Sequence, residues 1–151
     1  MAIGSANPSL VIDPSSGTIR IGDAIRLESH ETRASVESKV ADLANGARDH
    51  GNGYAWLYLG GLTFGSQPAG MGLCFHDDRL EQIDWNVRLP DAPMEGGWPT
   101  REAIDDELSF VRSVMVNEMG LTIGQTTWGE VWSAFDAKGF LASNGLRYRL
   151  E

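Results

Sequence analysis

The chain has 151 residues, 42% of them hydrophobic and 22% charged, enough for one domain with a core of its own and too apolar for wholesale disorder. Its 21 acids outnumber 12 lysines and arginines, leaving a formal net charge of −9. That balance argues against nucleic acid as a ligand, because gripping the phosphate backbone needs a basic patch.

Nothing in the chain reaches the ~18 consecutive apolar residues of a membrane span. The stretch from Met1 to Pro8 lacks the basic and apolar regions of a signal peptide, so the chain reads as soluble, not membrane-bound, and cytoplasmic by default. Residues 1–9 read as a flexible N-terminal lead to a single α+β domain over 10–151. Leu10 to Asp13 and Thr18 to Ile21 predict two strands joined by the turn Pro14-Ser-Ser-Gly17, and a short extended piece follows from Ile25 to Leu27. Thr32 suits a helix N-cap, and Val36, Val40, Leu43 and Ala47 then recur on one helical face until Asn45-Gly46 or Gly51 stops it. Tyr54 to Leu59 is almost wholly apolar and predicts a central strand covered on both faces, with Leu62 to Phe64 extending it.

Met71 to His76 is the next strand, and His76-Asp-Asp-Arg79 is a tight turn. From Leu80 to Leu89, Ile83, Trp85, Val87 and Leu89 alternate with Asp84, Asn86 and Arg88, as on a half-buried strand. After a Pro/Gly-rich loop over 90–99, Thr100 caps a second helix reaching Met119. Ile104, Leu108, Val111 and Met115 point inward, Glu102, Asp106, Ser109 and Ser113 outward, and Gly120 ends it. Val131 to Phe135 and Leu141 to Leu150 predict a closing hairpin. The order predicts a two-layer sandwich of the α+β class, a mostly antiparallel sheet with both helices packed on one face.

No set of residues assembles a reaction centre. His30 beside Glu28 and Glu31, and His76 beside Asp77 and Asp78, lack zinc or EF-hand spacing, so no metal is expected. The glycine pairs lack the strand–helix setting of a phosphate loop, so no cofactor is expected either. No Gly-x-Ser-x-Gly elbow occurs, and no residue is taken as catalytic. Asp105, Asp106 and Glu107 point apart on a helix, where their charge favours the N-terminal end of the dipole. The single Cys74 reads as a small buried residue. Trp128 and Trp132, four apart in an extended segment, would show the same face and read as core. Trp98, between Gly97 and Pro99, reads as an exposed interface anchor.

The negative charge is concentrated. From Asp77 to Glu107 there are ten acids against three arginines, a net of −7 within the chain's −9. Acids around aromatics suit rapid capture of a basic partner. The expected protein-binding residues are Asp77, Asp78, Glu81, Asp91, Glu95, Glu102 and Asp106, with Trp98 as anchor.

Three segments carry a family resemblance: Phe75-His-Asp-Asp-Arg-Leu80, Gly96-Gly-Trp-Pro99, and Trp128-Gly-Glu-Val-Trp-Ser-Ala-Phe-Asp136 with its ending Leu146-Arg-Tyr-Arg-Leu150. In layout they resemble small bacterial immunity proteins of the polymorphic-toxin or secretion-effector type. The resemblance implies an acidic inhibitor without chemistry of its own, which binds and neutralises a cognate toxin; that toxin is expected to be basic. The alternative is a small-molecule-binding or enzymatic cup lined by Trp56, Tyr58, Trp85 and Trp132, with His76 or Asp84 converging on it. A third reading is an adaptor domain forming a homodimer through an exposed strand edge.

Overall fold

The computed structural model describes residues 7–150; positions 1–6 of the expected lead lie outside them. The rest of that lead belongs to the domain. Thr63 N donates to Pro8 O and Gly22 N to Ser9 O, both at 2.9 Å. The strand–turn–strand reading then holds. β1 (Leu10–Ile12), β2 (Ile19–Ile21) and β3 (Ile25–Leu27) form a small antiparallel sheet that buries Leu10, Ile12, Ile19, Ile21 and Leu27. Asp13 Oδ1 holds the turn by accepting from Ser15 N (2.9 Å) and Ser15 Oγ (2.7 Å).

The first helix is shorter than its periodicity predicts. α1 spans Arg33–Lys39, with Ser35 N donating to the Thr32 cap at 3.3 Å. Val40 and Leu43 continue the apolar spacing through a turn, with Leu43 N and Ala44 N both donating to Val40 O. Beyond it Ala44–Asp49 forms strand β4 instead of more helix. Gly46 would cost about 1 kcal/mol inside a helix, while the edge of the next strand offers a ladder of partners broken only by a register shift between Ala44 and Gly46. Tertiary pairing overrides the local period.

Seven strands form the main sheet, every neighbouring pair antiparallel: β10 (Gly124–Gln125), β11 (Gly129–Asp136), β12 (Leu141–Tyr148), β7 (Arg79–Val87), β6 (Gln67–His76), β5 (Tyr54–Phe64) and β4, in that spatial order. A two-strand clip, β8 (Met94–Glu95) with β9 (Trp98–Pro99), leads into α2 (Arg101–Val114). A π-helical turn over Met115–Met119 and left-handed Gly120 (φ 67°) end that helix. The inner sheet face (Leu57, Leu73, Ile83, Leu146), both helices (Val36, Val40, Val111, Met115) and the small sheet share one core.

Both helices therefore cover one face, and the other stays open. β5 is accordingly not covered on both sides: Leu57, Leu59, Leu62 and Phe64 are buried, but Tyr54 and Tyr58 are exposed and Trp56 is half-buried. Trp128 and Trp132 do not share a face. Trp128 precedes β11, packs against Tyr148 (ring centroids 5.9 Å apart) and donates from Nε1 to Pro14 O at 2.9 Å. Trp132 lies within β11 on the open face and donates from Nε1 to Ser143 Oγ at 3.1 Å.

Candidate functional site

On the open face, strand register builds a row that the linear sequence conceals. Tyr58 pairs with Gly72, Gly72 with Asp84, Asp84 with Gly145, and Gly145 with Trp132. Across five strands the row reads aromatic, glycine, acid, glycine, aromatic. The glycines let their neighbours lean inward: a Cβ at Gly72 would meet Trp56 at 3.2 Å and Tyr58 at 3.5 Å. One at Gly145 would crowd the Trp132 ring and meet Asp84 Oδ1 at 2.7 Å. Trp56 and Tyr58 stack with centroids 6.2 Å apart and planes 5° from parallel. Asp84 thus stands between the Trp56–Tyr58 pair and Trp132. With Trp56 and Tyr58 it lines a cleft of about 530 Å³ that Asn45, Asn86, Ser143 and Pro99 also border; Trp132 is not part of that lining.

Asp84 accepts from Gln82 Nε2 at 3.1 Å, and no ion pair reaches it among the described residues. Burial pushes its carboxyl above the usual range, against the pull of Gln82 and Arg147. Arg147 is engaged elsewhere, donating to Gln82 Oε1 at 2.9 Å and lying 3.6 Å from Glu130. Trp85 also borders the cleft, and its Nε1 is the one buried side-chain nitrogen or oxygen without a hydrogen-bond partner among the described residues.

At the inner end of the cleft a second carboxylate has a different role. Glu107 Oε2 accepts from Val87 N (3.1 Å) and Asn144 Nδ2 (3.2 Å), fastening α2 to β7 and β12. Asn144 also donates to Trp85 O (3.3 Å) and accepts from Ser133 Oγ (2.7 Å), and Arg112 Nε donates to Ser133 O (3.1 Å). Burial raises the Glu107 carboxyl, with its two donors opposing. Glu107 is an internal strut. Cys74 is 4% exposed, and burial, with Glu81 and Asp84 nearby, pushes its thiol up to about 11. It is not a thiolate at neutral pH.

The eight residues expected to bind protein fall into two groups. Asp77 and Asp78, both at positive φ, form the exposed tip of the β6–β7 hairpin, with Asp78 3.8 Å from Arg33. Glu81 is close by but only 15% exposed, 3.8 Å from His76. At the other end of β7, Asp91, Glu95, Glu102 and Asp106 are exposed, and Trp98 is 70% exposed. There Thr100 closes the loop, donating from N and Oγ1 to Pro93 O at 3.1 and 2.9 Å, and caps α2. No ion pair engages Glu102 or Asp106 among the described residues, whereas Asp105 is paired with Arg101 at 3.0 Å. Nine-residue β7 holds the groups about 27 Å apart. Of these two, the loop group adjoins the cleft, through Pro99 and Ile104.

No helix among the described residues is long and apolar enough to cross a membrane. No protein family model matches the chain, and no curated protein matches it. Among solved structures, a chain of the complex of Rhs1-CT with its cognate immunity protein RhsI1 is similar, with a TM-score of 0.54 at 14% identity, over 93% of this chain and 87% of that one. The likeness is one of fold, to a chain of a toxin–immunity complex.

Proposed function

We propose that this chain is an immunity protein that binds and neutralises a cognate toxin. The observation supporting this most is the fold it shares, over 93% of its length, with a chain of a toxin–immunity complex. The net charge of −9 supports the finer reading that the toxin is basic; the meeting place in this reading is the bacterial cytoplasm. Asp91, Glu95, Glu102 and Asp106 steer association, exposed Trp98 is the desolvated anchor, and Asp77, Asp78 and Glu81 at the far hairpin end contribute less.

The test is co-expression with the open reading frame adjoining its gene. That product should arrest growth alone, spare cells that also make this chain, and co-elute with it. Unrelieved toxicity, or separate elution, overturns the proposal. A small-molecule cup is the second reading, favoured by one observation, the half-buried Asp84 in an aromatic-walled cleft of about 530 Å³, within the roughly 300–1,000 Å³ of ligand sites. It predicts a bound metabolite and no rescue.

A further inference from the structure

Resting on the immunity reading, we propose that the cleft around Asp84 is the socket for an arginine side chain of the partner toxin. Asp84 is half-buried on the sheet face away from the common core, and no cation of this chain forms an ion pair with it among the described residues. A carboxylate withdrawn from water without a counter-charge is costly, and a cation arriving with a partner relieves that cost. The nearest arginine, Arg147, is held by Gln82 and Glu130. Arg147 offsets the charge of Asp84 only in part and from a distance, so a direct ion pair is left to an outside group.

The walls select the cation. Trp56 and Tyr58 lie over Gly72 and form the aromatic wall of the cleft, while beyond Asp84 Trp132 lies over Gly145 with the Arg147 guanidinium 5.9 Å from its ring centre. Aromatic faces attract cations, and a guanidinium stacks on them while presenting a planar fork to a carboxylate. It is also more weakly hydrated than an ammonium, so it enters a half-dry slot at less cost. Asn86 and Ser143 border the same cleft and offer acceptors for the remaining N–H groups. An anion would be repelled by Asp84, and an apolar side chain would leave the carboxylate desolvated and unpaired. Substituting either glycine would shift the aromatic walls, so the bare strand positions are part of the socket.

The test has two arms. In the first, N-acetyl-arginine methylamide is titrated into the protein, with the lysine and neutral citrulline analogues as comparisons, and tryptophan fluorescence and indole N–H shifts are followed. Arginine should saturate, bind more tightly than lysine, and lose about tenfold or more in affinity in both Asp84→Asn and the citrulline titration. Equal binding by arginine and citrulline, or by wild type and Asp84→Asn, overturns the inference. Tighter binding of a free cation such as choline also overturns it, by making the cleft a small-molecule site. In the second arm the co-eluting toxin is titrated against wild type, Asp84→Asn and Trp56→Leu, each checked for an unchanged or higher melting temperature. Weakening of about tenfold in the variants supports the socket. Unchanged affinity overturns it while the immunity reading stands. Probe binding with no toxin binding overturns that reading, and the partner assignment with it.

Discussion

Asp84 and Glu107 are both half-buried carboxylates, and their partners separate their roles. Glu107 has two donors from the sheet; replacing it by alanine leaves Val87 N–H and one Asn144 N–H unpaired, a loss of about 1–3 kcal/mol. Urea denaturation should show this for Glu107→Ala and a smaller loss for Glu107→Gln, which keeps an acceptor. Asp84 has one donor and no ion pair, and its carboxyl is raised by burial. A raised acid contributes stability below its unfolded pKa of about 3.9 and loses it as pH rises through the higher folded value. The charged form is thus a cost at neutral pH, with Gln82 on β7 and Arg147 on β12 partly offsetting it. Asp84→Asn should raise the melting temperature at pH 7, and the gain should vanish near pH 4; a loss at pH 7 would show that Asp84 is better paired than its geometry indicates. The alternation over Leu80 to Leu89 correctly predicted Asp84 as outward-facing. The cup reading likewise placed Asp84 with Trp56, Tyr58 and Trp85, which line one cleft, although Trp132 and His76 do not. What stayed hidden was its setting, because Gly72 and Gly145 become its neighbours only through strand register. A glycine at an outward position of each flanking strand was the available signal, and glycines in a turn-rich chain attract no notice.

At the scale of elements, capping chemistry read well and long-range pairing did not. Thr32 and Thr100 are both N-caps, and Gly120 ends the second helix as expected. These are local features: a side-chain oxygen reaching an N–H three residues on, and a residue tolerating positive φ. α1 ran past its true end on paper because Val40 and Leu43 keep helical spacing while their backbone already turns toward β4. The clip β8–β9 and the edge strand β10, two residues each, are too short for a period to declare them. The end of α2 allows a clean test. Gly120 sits at φ 67° with nothing within 4 Å of a built Cβ, so Gly120→Ala adds no clash and its cost is conformational. A loss of about 1–2 kcal/mol is expected by chemical denaturation. Gly120→Asn should lose less, since asparagine tolerates this conformation, and equal losses would place the penalty outside the backbone.

For the whole molecule, the α+β class and the one-sided placement of the helices were legible, because the apolar stripes of both helices and of β7 demand a common core. The distribution of charge was not. Ten acids within one stretch of sequence look like a single face, yet β7 carries the chain about 27 Å between the hairpin tip and the Trp98 loop. That separation is roughly three Debye lengths at physiological ionic strength, so the two groups act on a docking protein almost independently. The loop group adjoins the Asp84 cleft through Pro99 and Ile104, and Glu102 and Asp106 carry no internal ion pair among the described residues. The hairpin tip is distant from the cleft, and Asp78 lies near Arg33. Stopped-flow association with the toxin at physiological salt should therefore show an unequal response. Glu102→Lys with Asp106→Lys should slow binding about tenfold, the effect shrinking as salt is added. Asp77→Lys with Asp78→Lys should change the rate less than twofold by the same screening argument. The reverse ranking would move the docking face to the hairpin end, away from the aromatic-walled cleft, and equal slowing by both pairs would require a partner broad enough to span the sheet.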